Sequence, residues 1–205
     1  MGLVLKRRGQ ISLEFMLVFA IMLIMLLYSV RNVTFSSDSP SNGVLALQIA
    51  LEEKSTATTI AGLIDQVYSQ GPGSKATAYV KFALLRNEGY LKRAFNLSNP
   101  VVSIMFLGSS HPLFPPNATN SVVAVAVFNN GSVPLLIGSN RTGVWISTYF
   151  PYNSTVDPGF NVTIAPTLLP SSLKVVVEWN PDLPIGITYN STSQEVYINI
   201  HPGGS

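Results

Sequence analysis

The chain has 205 residues, room for one soluble domain of ordinary size beside an N-terminal segment. Only 11% of residues are charged and 47% are hydrophobic, and cysteine is absent, which excludes disulfides, thiolate catalysis and cysteine-held zinc or iron–sulfur sites. The net charge of +2 arises in the first nine residues: without Lys6, Arg7 and Arg8, nine basic residues face ten acidic ones, and no clustered Lys/Arg surface for nucleic acid remains.

From Ile11 to Val30 the chain is apolar except for Ser12, Glu14 and Ser29. Twenty helical residues extend about 30 Å, the thickness of a bilayer's hydrocarbon core. Leu, Met, Phe and Ile dominate and no Gly or Pro interrupts, so helix is the natural state. Apolar residues on every face mark a lipid-exposed or deeply buried helix rather than an amphipathic one. Three cations precede the run and only Arg31 follows closely, which puts the N-terminus in the cytoplasm and the chain beyond about residue 31 outside, with Tyr28 near the outer boundary. A secretory signal peptide has a shorter apolar stretch, about 7–15 residues, ending at a small-x-small site. Here the apolar stretch is longer, and no Ala-x-Ala pattern follows directly after Tyr28. A plain signal anchor fits the hydropathy equally well. Hydropathy does not explain Glu14, because a carboxylate inside an apolar helix is costly unless paired or at a membrane edge. A cut between Gly9 and Gln10 would create an α-amino cation at the helix head. Glu14 of one copy would then neutralise the new amine of a neighbour, with both groups desolvated together. The other reading is a Glu at headgroup level with no special part.

These residues carry a resemblance. Arg8-Gly9-Gln10-Ile11-Ser12-Leu13-Glu14-Phe15, running directly into an apolar helix, resembles the archaeal class III signal peptide. That pattern is Gln-x-Ser-x-Glu-Phe after a basic leader ending in Gly. Gln10, Ser12, Glu14 and Phe15 all match, and Lys6, Arg7 and Arg8 supply the basic leader. The resemblance implies cleavage between Gly9 and Gln10 by a membrane-embedded prepilin peptidase. It implies type IV pilin-like assembly with like subunits by pilus machinery, the N-terminal helices packing into a filament core. Glu14 corresponds to the glutamate at the fifth mature position of type IV pilins. The motif is silent about the rest of the chain.

A Ser-rich break, 32–41, precedes a second helical pattern from about Pro40 to Gln70, with Ser39 and Pro40 suited to N-cap and first turn. Val44, Leu47 and Leu51 form one short stripe; Ile60, Leu63, Ile64 and Val67 form another at i, i+3, i+4, i+7. Residues 52–59 between them are polar. The apolar face is expected to pack on the sheet that follows, the sharper reading being contact with neighbouring subunits. Gly71-Pro72-Gly73 stops the helix.

Beyond Ser74 short runs rich in Val, Ile and aromatics predict strands at 77–85, 101–107, 121–128, 133–137, 143–150, 160–164, 173–179, 185–189 and 195–200. Residues 90–97 fit helix or strand. The fold expected is α+β: residues 1–9 a cleaved leader, 10–36 the apolar helix, 37–73 a linker and amphipathic helix, and 74–205 an extracellular β-sandwich-like domain or partly closed barrel.

Little in the exterior part points to chemistry. His111 and His201 each precede a Pro, no HExxH, DxDxDG or GxSxG spacing occurs, and Asp157, Glu178, Asp182 and Glu195 read as solvated charges. Neither enzymatic activity nor a metal or other cofactor is expected. Trp145, Tyr149, Phe150 and Tyr152 cluster at one strand end and read as core and edge packing before a sugar-binding patch. The second strong signal is Asn-x-Ser/Thr, at Asn32, Asn96, Asn117, Asn130, Asn140, Asn153, Asn161 and Asn190. Chance predicts about two or three such triplets, and all of these lie beyond the apolar helix. Turn-forming Asn, Ser and Thr account for part of the excess. N-linked sugars would keep a low-charge exterior soluble. The function expected is structural: a filament subunit for surface attachment, membrane-held as a precursor and extracellular when mature. The alternative is a processed, membrane-anchored surface binder that never polymerises.

Overall fold

The computed structural model describes residues 15–29, 40–109, 120–138, 141–152 and 160–201. The chain divides into two compact units, Met1–Val44 and Leu45–Ser205. In the first, residues 15–29 form a helix, α1, as their unbroken Leu, Met, Phe and Ile content predicts. This described length spans about 22 Å at the α-helical rise. Among the described residues, no helix is long and apolar enough to cross a membrane.

A second helix, α2, runs Pro40–Gln70. Its Ile60, Leu63, Ile64 and Val67 are buried, so this stripe meets the core as expected. Val44, Leu47 and Leu51 are exposed, which corrects the expectation for the first stripe. The reason is angular. The core-facing row of the N-terminal half is Ile49, Glu53, Thr56 and Ala57, all buried, and Leu51 lies about 200° around the helix from Ile49. The helix ends where Gly71 and Gly73 adopt φ of 87° and 83°, a left-handed region costly to other residues. There the Ser74 hydroxyl donates to the Val67 carbonyl at 2.8 Å.

Among the described residues eight strands follow: β1 Lys75–Lys81, β2 Pro100–Leu107, β3 Val122–Asn129, β4 Gly143–Ser147, β5 Phe160–Ile164, β6 Ser172–Glu178, β7 Gly186–Asn190 and β8 Glu195–Asn199. They make two four-stranded sheets, ordered β1-β6-β8-β7 and β4-β3-β2-β5. All pairs are antiparallel except β6 with β8. The register puts Ala76, Val175, Val177, Val196 and Ile198 on one face of the first sheet, and Val102, Ile104, Phe106, Val123 and Val125 on one face of the second. Both faces and α2 share one core. At one end Tyr68 of α2 stacks on Trp179 with centroids 5.8 Å apart and meets Phe150 edge-on at 5.4 Å. The outer face of the first sheet is polar, with Lys75–Glu178 and Lys174–Glu195 ion pairs at 3.0 and 2.6 Å.

Besides β4, which ends at Ser147 rather than at residue 150, three segments differ from the sequence expectation for physical reasons. β1 stops at Lys81 rather than at residue 85, because the next amides are taken elsewhere. Phe82 N–H donates to the Ser171 carbonyl, and the Glu52 carboxylate of α2 accepts from Ala83 N–H at 2.7 Å and Leu84 N–H at 2.8 Å. Residues 90–97 are helical up to Phe95: α3, Glu88–Phe95, starts at Asn87, whose side-chain oxygen accepts from Tyr90 N–H, and is braced by Glu88–Lys92. Residues 133–137 join no ladder. Pro134 brings no N–H, and the segment instead drapes over the second sheet, where Leu136 packs with Met105, Ala124 and Ala126.

That outer cluster leaves no room beside β4. A Cβ at Gly143 would lie 2.5 Å from the Ala126 Cβ and 2.9 Å from the Val125 carbonyl oxygen. Gly143→Ala is expected to lower unfolding stability by about 1–3 kcal/mol, read by denaturant melts; an unchanged midpoint would contradict this packing.

Candidate functional site

The candidate functional site is a surface rather than a pocket. On α1 thirteen large apolar side chains between Phe15 and Tyr28 are each 45–69% exposed, and they point in every direction around the axis. A side chain of this kind gains about 1.5–3 kcal/mol when buried from full exposure, so each stands to gain roughly half to two-thirds of that. Of the processing and assembly residues, Phe15 is the first helical residue described, and its ring is exposed. Lys6, Arg7, Arg8, Gly9, Gln10, Ser12 and Glu14 lie outside the described residues.

Four of the eight sequons fall within them, at Asn96, Asn130, Asn161 and Asn190, and all four Asn are exposed. Asn96 caps α3 in the left-handed conformation, Asn130 follows β3, and Asn161 sits on β5 opposite Met105. Asn190 closes β7, its side-chain oxygen accepting from Thr192 N–H at 2.9 Å and Ser193 N–H at 3.2 Å. Its Nδ2 is left for other use. Asn32, Asn117, Asn140 and Asn153 lie outside the described residues.

The remaining candidates do not converge. Phe150 is fully buried, Trp145 packs in the outer cluster, Tyr152 stacks on Phe106, and Tyr149 alone of the four is strongly exposed, at 79%. Glu178 and Glu195 sit in the surface ion pairs, Lys75 holding the Glu178 carboxyl below its usual range. Asp182 is in an exposed turn, His201 is half-buried after β8, and His111 and Asp157 lie outside the described residues.

Two acids that sequence reading passed over prove structural. Glu52 binds the two backbone amides after β1. Glu53 is 1% exposed, and its Oε1 has no hydrogen-bond partner. The signal was present: positions 49, 53, 56, 60 and 64 repeat at helical spacing, so residue 53 belongs to the core row despite its charge. Burial holds the Glu53 carboxyl well above its ordinary value near 4.5, and the neighbouring Glu52 charge adds to this. Asp65, which accepts from Tyr149 N–H at 2.6 Å, is also raised by burial, against a smaller opposing effect of that bond.

With that geometry in view, residues 7–33 match the family model for the class III signal peptide. The chain therefore carries the N-terminus of a processed, type IV pilin-like secreted protein. That peptide implies a membrane-anchored precursor, a prepilin peptidase and pilus-type assembly. No curated protein and no solved structure matches the chain.

Glu53 sets a pH signature. The unfolded chain releases this proton near its ordinary value while the native chain retains it, so stability falls as pH rises above about 4.5 until the native group ionises. Glu53→Gln should therefore reduce the loss of stability between pH 5 and pH 8, leaving the smaller Asp65 contribution of the same sign. Urea melts of the detergent-solubilised protein at both pH values measure this, and an equal slope in wild type and variant would refute it.

Proposed function

We propose that this chain is a subunit of an archaeal extracellular filament used for surface attachment. A prepilin peptidase cuts between Gly9 and Gln10, and the chain polymerises through its apolar N-terminal helix. The observation that carries the reading is the class III signal peptide leading into a helix apolar on every side. Such a helix has two stable surroundings, lipid before assembly and copies of itself after it. The exposed Leu47 and Leu51 on α2 support the reading, being apolar side chains that the folded chain leaves uncovered. Glu14 is assigned the neutralisation of a neighbour's new α-amino group, which sets the axial register between copies.

The eight sequons are assigned to N-glycosylation of the exterior part. The exposure of Asn96, Asn130, Asn161 and Asn190 supports this, as do the two backbone bonds that orient Asn190 without using its Nδ2.

Shearing cells and separating fibres from membranes tests the filament. The chain is expected in the sheared fraction, and Glu14→Ala is expected to be cut normally yet to lose at least tenfold of that fibre yield. A chain found only with membranes would favour the anchored binder, and unaltered fibres from Glu14→Ala would remove the assigned role of the carboxylate. Mass spectrometry of tryptic peptides from the native protein is expected to show sugar on Asn190 and Asn130; bare peptides throughout would remove the glycosylation reading.

A further inference from the structure

Between the 3-10 turn Pro166–Leu168 and the turn joining β7 to β8 lies an open cavity of about 410 Å³, within the usual range for small-ligand sites. Its useful lining is Arg86, Thr167, Ser171, Tyr189, Ser191 and Gln194. One strong charge is present. Arg86 Nε donates to the Leu169 carbonyl at 2.8 Å, which fixes the guanidinium plane, and no carboxylate pairs with Arg86 among the described residues. Its two terminal nitrogens are thus set for a bidentate carboxylate. The opposite wall is also held from behind. Asn190 binds the amides of Thr192 and Ser193, which fixes the turn that carries Ser191, and Gln194 takes a left-handed φ of 52° while its carbonyl accepts from Lys174 N–H. Around the cation stand three hydroxyls, one amide and the half-buried ring of Tyr189.

We infer that this cleft binds an acidic sugar, a hexuronate unit of a polysaccharide, with its carboxylate on Arg86 and its hydroxyls on Ser171, Ser191 and Gln194. A single cation among neutral hydrogen-bonding groups suits one negative charge on a hydroxyl-rich body. A phosphate would call for more donors and positive charge than the cleft offers. Tyr189 gives the sugar ring an apolar face to lie against. This deepens the attachment reading by naming the surface chemistry. Binding is read on the isolated protein, so its failure leaves the filament result standing and the failure of filaments leaves this result standing.

The test is calorimetric titration of the full chain in detergent micelles with trigalacturonate, and with neutral maltotriose as the control. Trigalacturonate is expected to bind saturably, at least tenfold tighter than maltotriose, and to weaken as salt rises. Arg86→Gln is expected to cost at least tenfold. Ser191→Ala and Gln194→Ala leave the Arg86–Leu169 bond in place and are each expected to cost about threefold, so loss is not mistaken for misfolding. Absence of binding by both the native chain and a Thr192→Ala variant, equal affinity for the neutral sugar, an Arg86→Gln variant that binds like wild type, or displacement by equimolar inorganic phosphate would each overturn the inference. Thr192→Ala removes the Asn190 sequon but leaves the lining intact. Equal binding by this variant and the native chain assigns the occupant to an outside polysaccharide. Binding by the variant alone assigns it to the chain's own Asn190 glycan.

Discussion

Along residues 15–29, thirteen large apolar side chains are each 45–69% exposed, with only Tyr28 and Ser29 offering polar atoms. Water does not hold a helix of that kind in solution, and the remainder of the molecule has to be understood around that fact. A low-charge exterior, a run of sequons and exposed leucines on α2 are tolerable on a subunit that is delivered through lipid and then surrounded by copies of itself. They would be liabilities on a chain meant to diffuse freely.

The part of the molecule from Leu45 onward solves a different problem. Two sheets and one long helix share a single core without disulfides. In its C-terminal half α2 contributes Ile60, Ile64 and Val67 to that core, and its Tyr68 meets Trp179 after β6 and Phe150 after β4. Its middle uses acids. Glu52 ends β1 by binding two amides that would otherwise extend the strand, while Glu53, one residue on, is carried into the core by the same helical turn. The buried carboxyl costs stability that an apolar residue there would not, and the helix retains it.

Much of this was readable from residue patterns. The i, i+3, i+4, i+7 stripe ending at Val67, the Gly-Pro-Gly stop, and the Val-, Ile- and aromatic-rich runs of β2, β3, β5, β6 and β8 all fold as expected. What escaped was tertiary. Val44, Leu47 and Leu51 look like a core stripe until Glu53 and Thr56 are known to be buried on another side. Residues 133–137 have strand composition, yet Pro134 and the draping of Leu136 over β2 and β3 take them out of the ladder. The parallel placement of β8 beside β6 depends on β7 reaching past it, which no local pattern encodes. For the candidate site, the processing motif was legible residue by residue because it is read in order along the chain. The Arg86 cleft was not, because Arg86 stands about eighty to a hundred positions before the rest of its lining, which itself comes from two segments.

Processing is the hinge of the account, since an uncut basic leader would keep three cations at the head of the helix and bar it from an apolar bundle. Mass spectrometry of the intact protein recovered from cells measures it most directly. A mature chain beginning at Gln10, with or without loss of ammonia from that residue, is the result required. A chain beginning at Met1, or one cut on the far side of Tyr28, would contradict it.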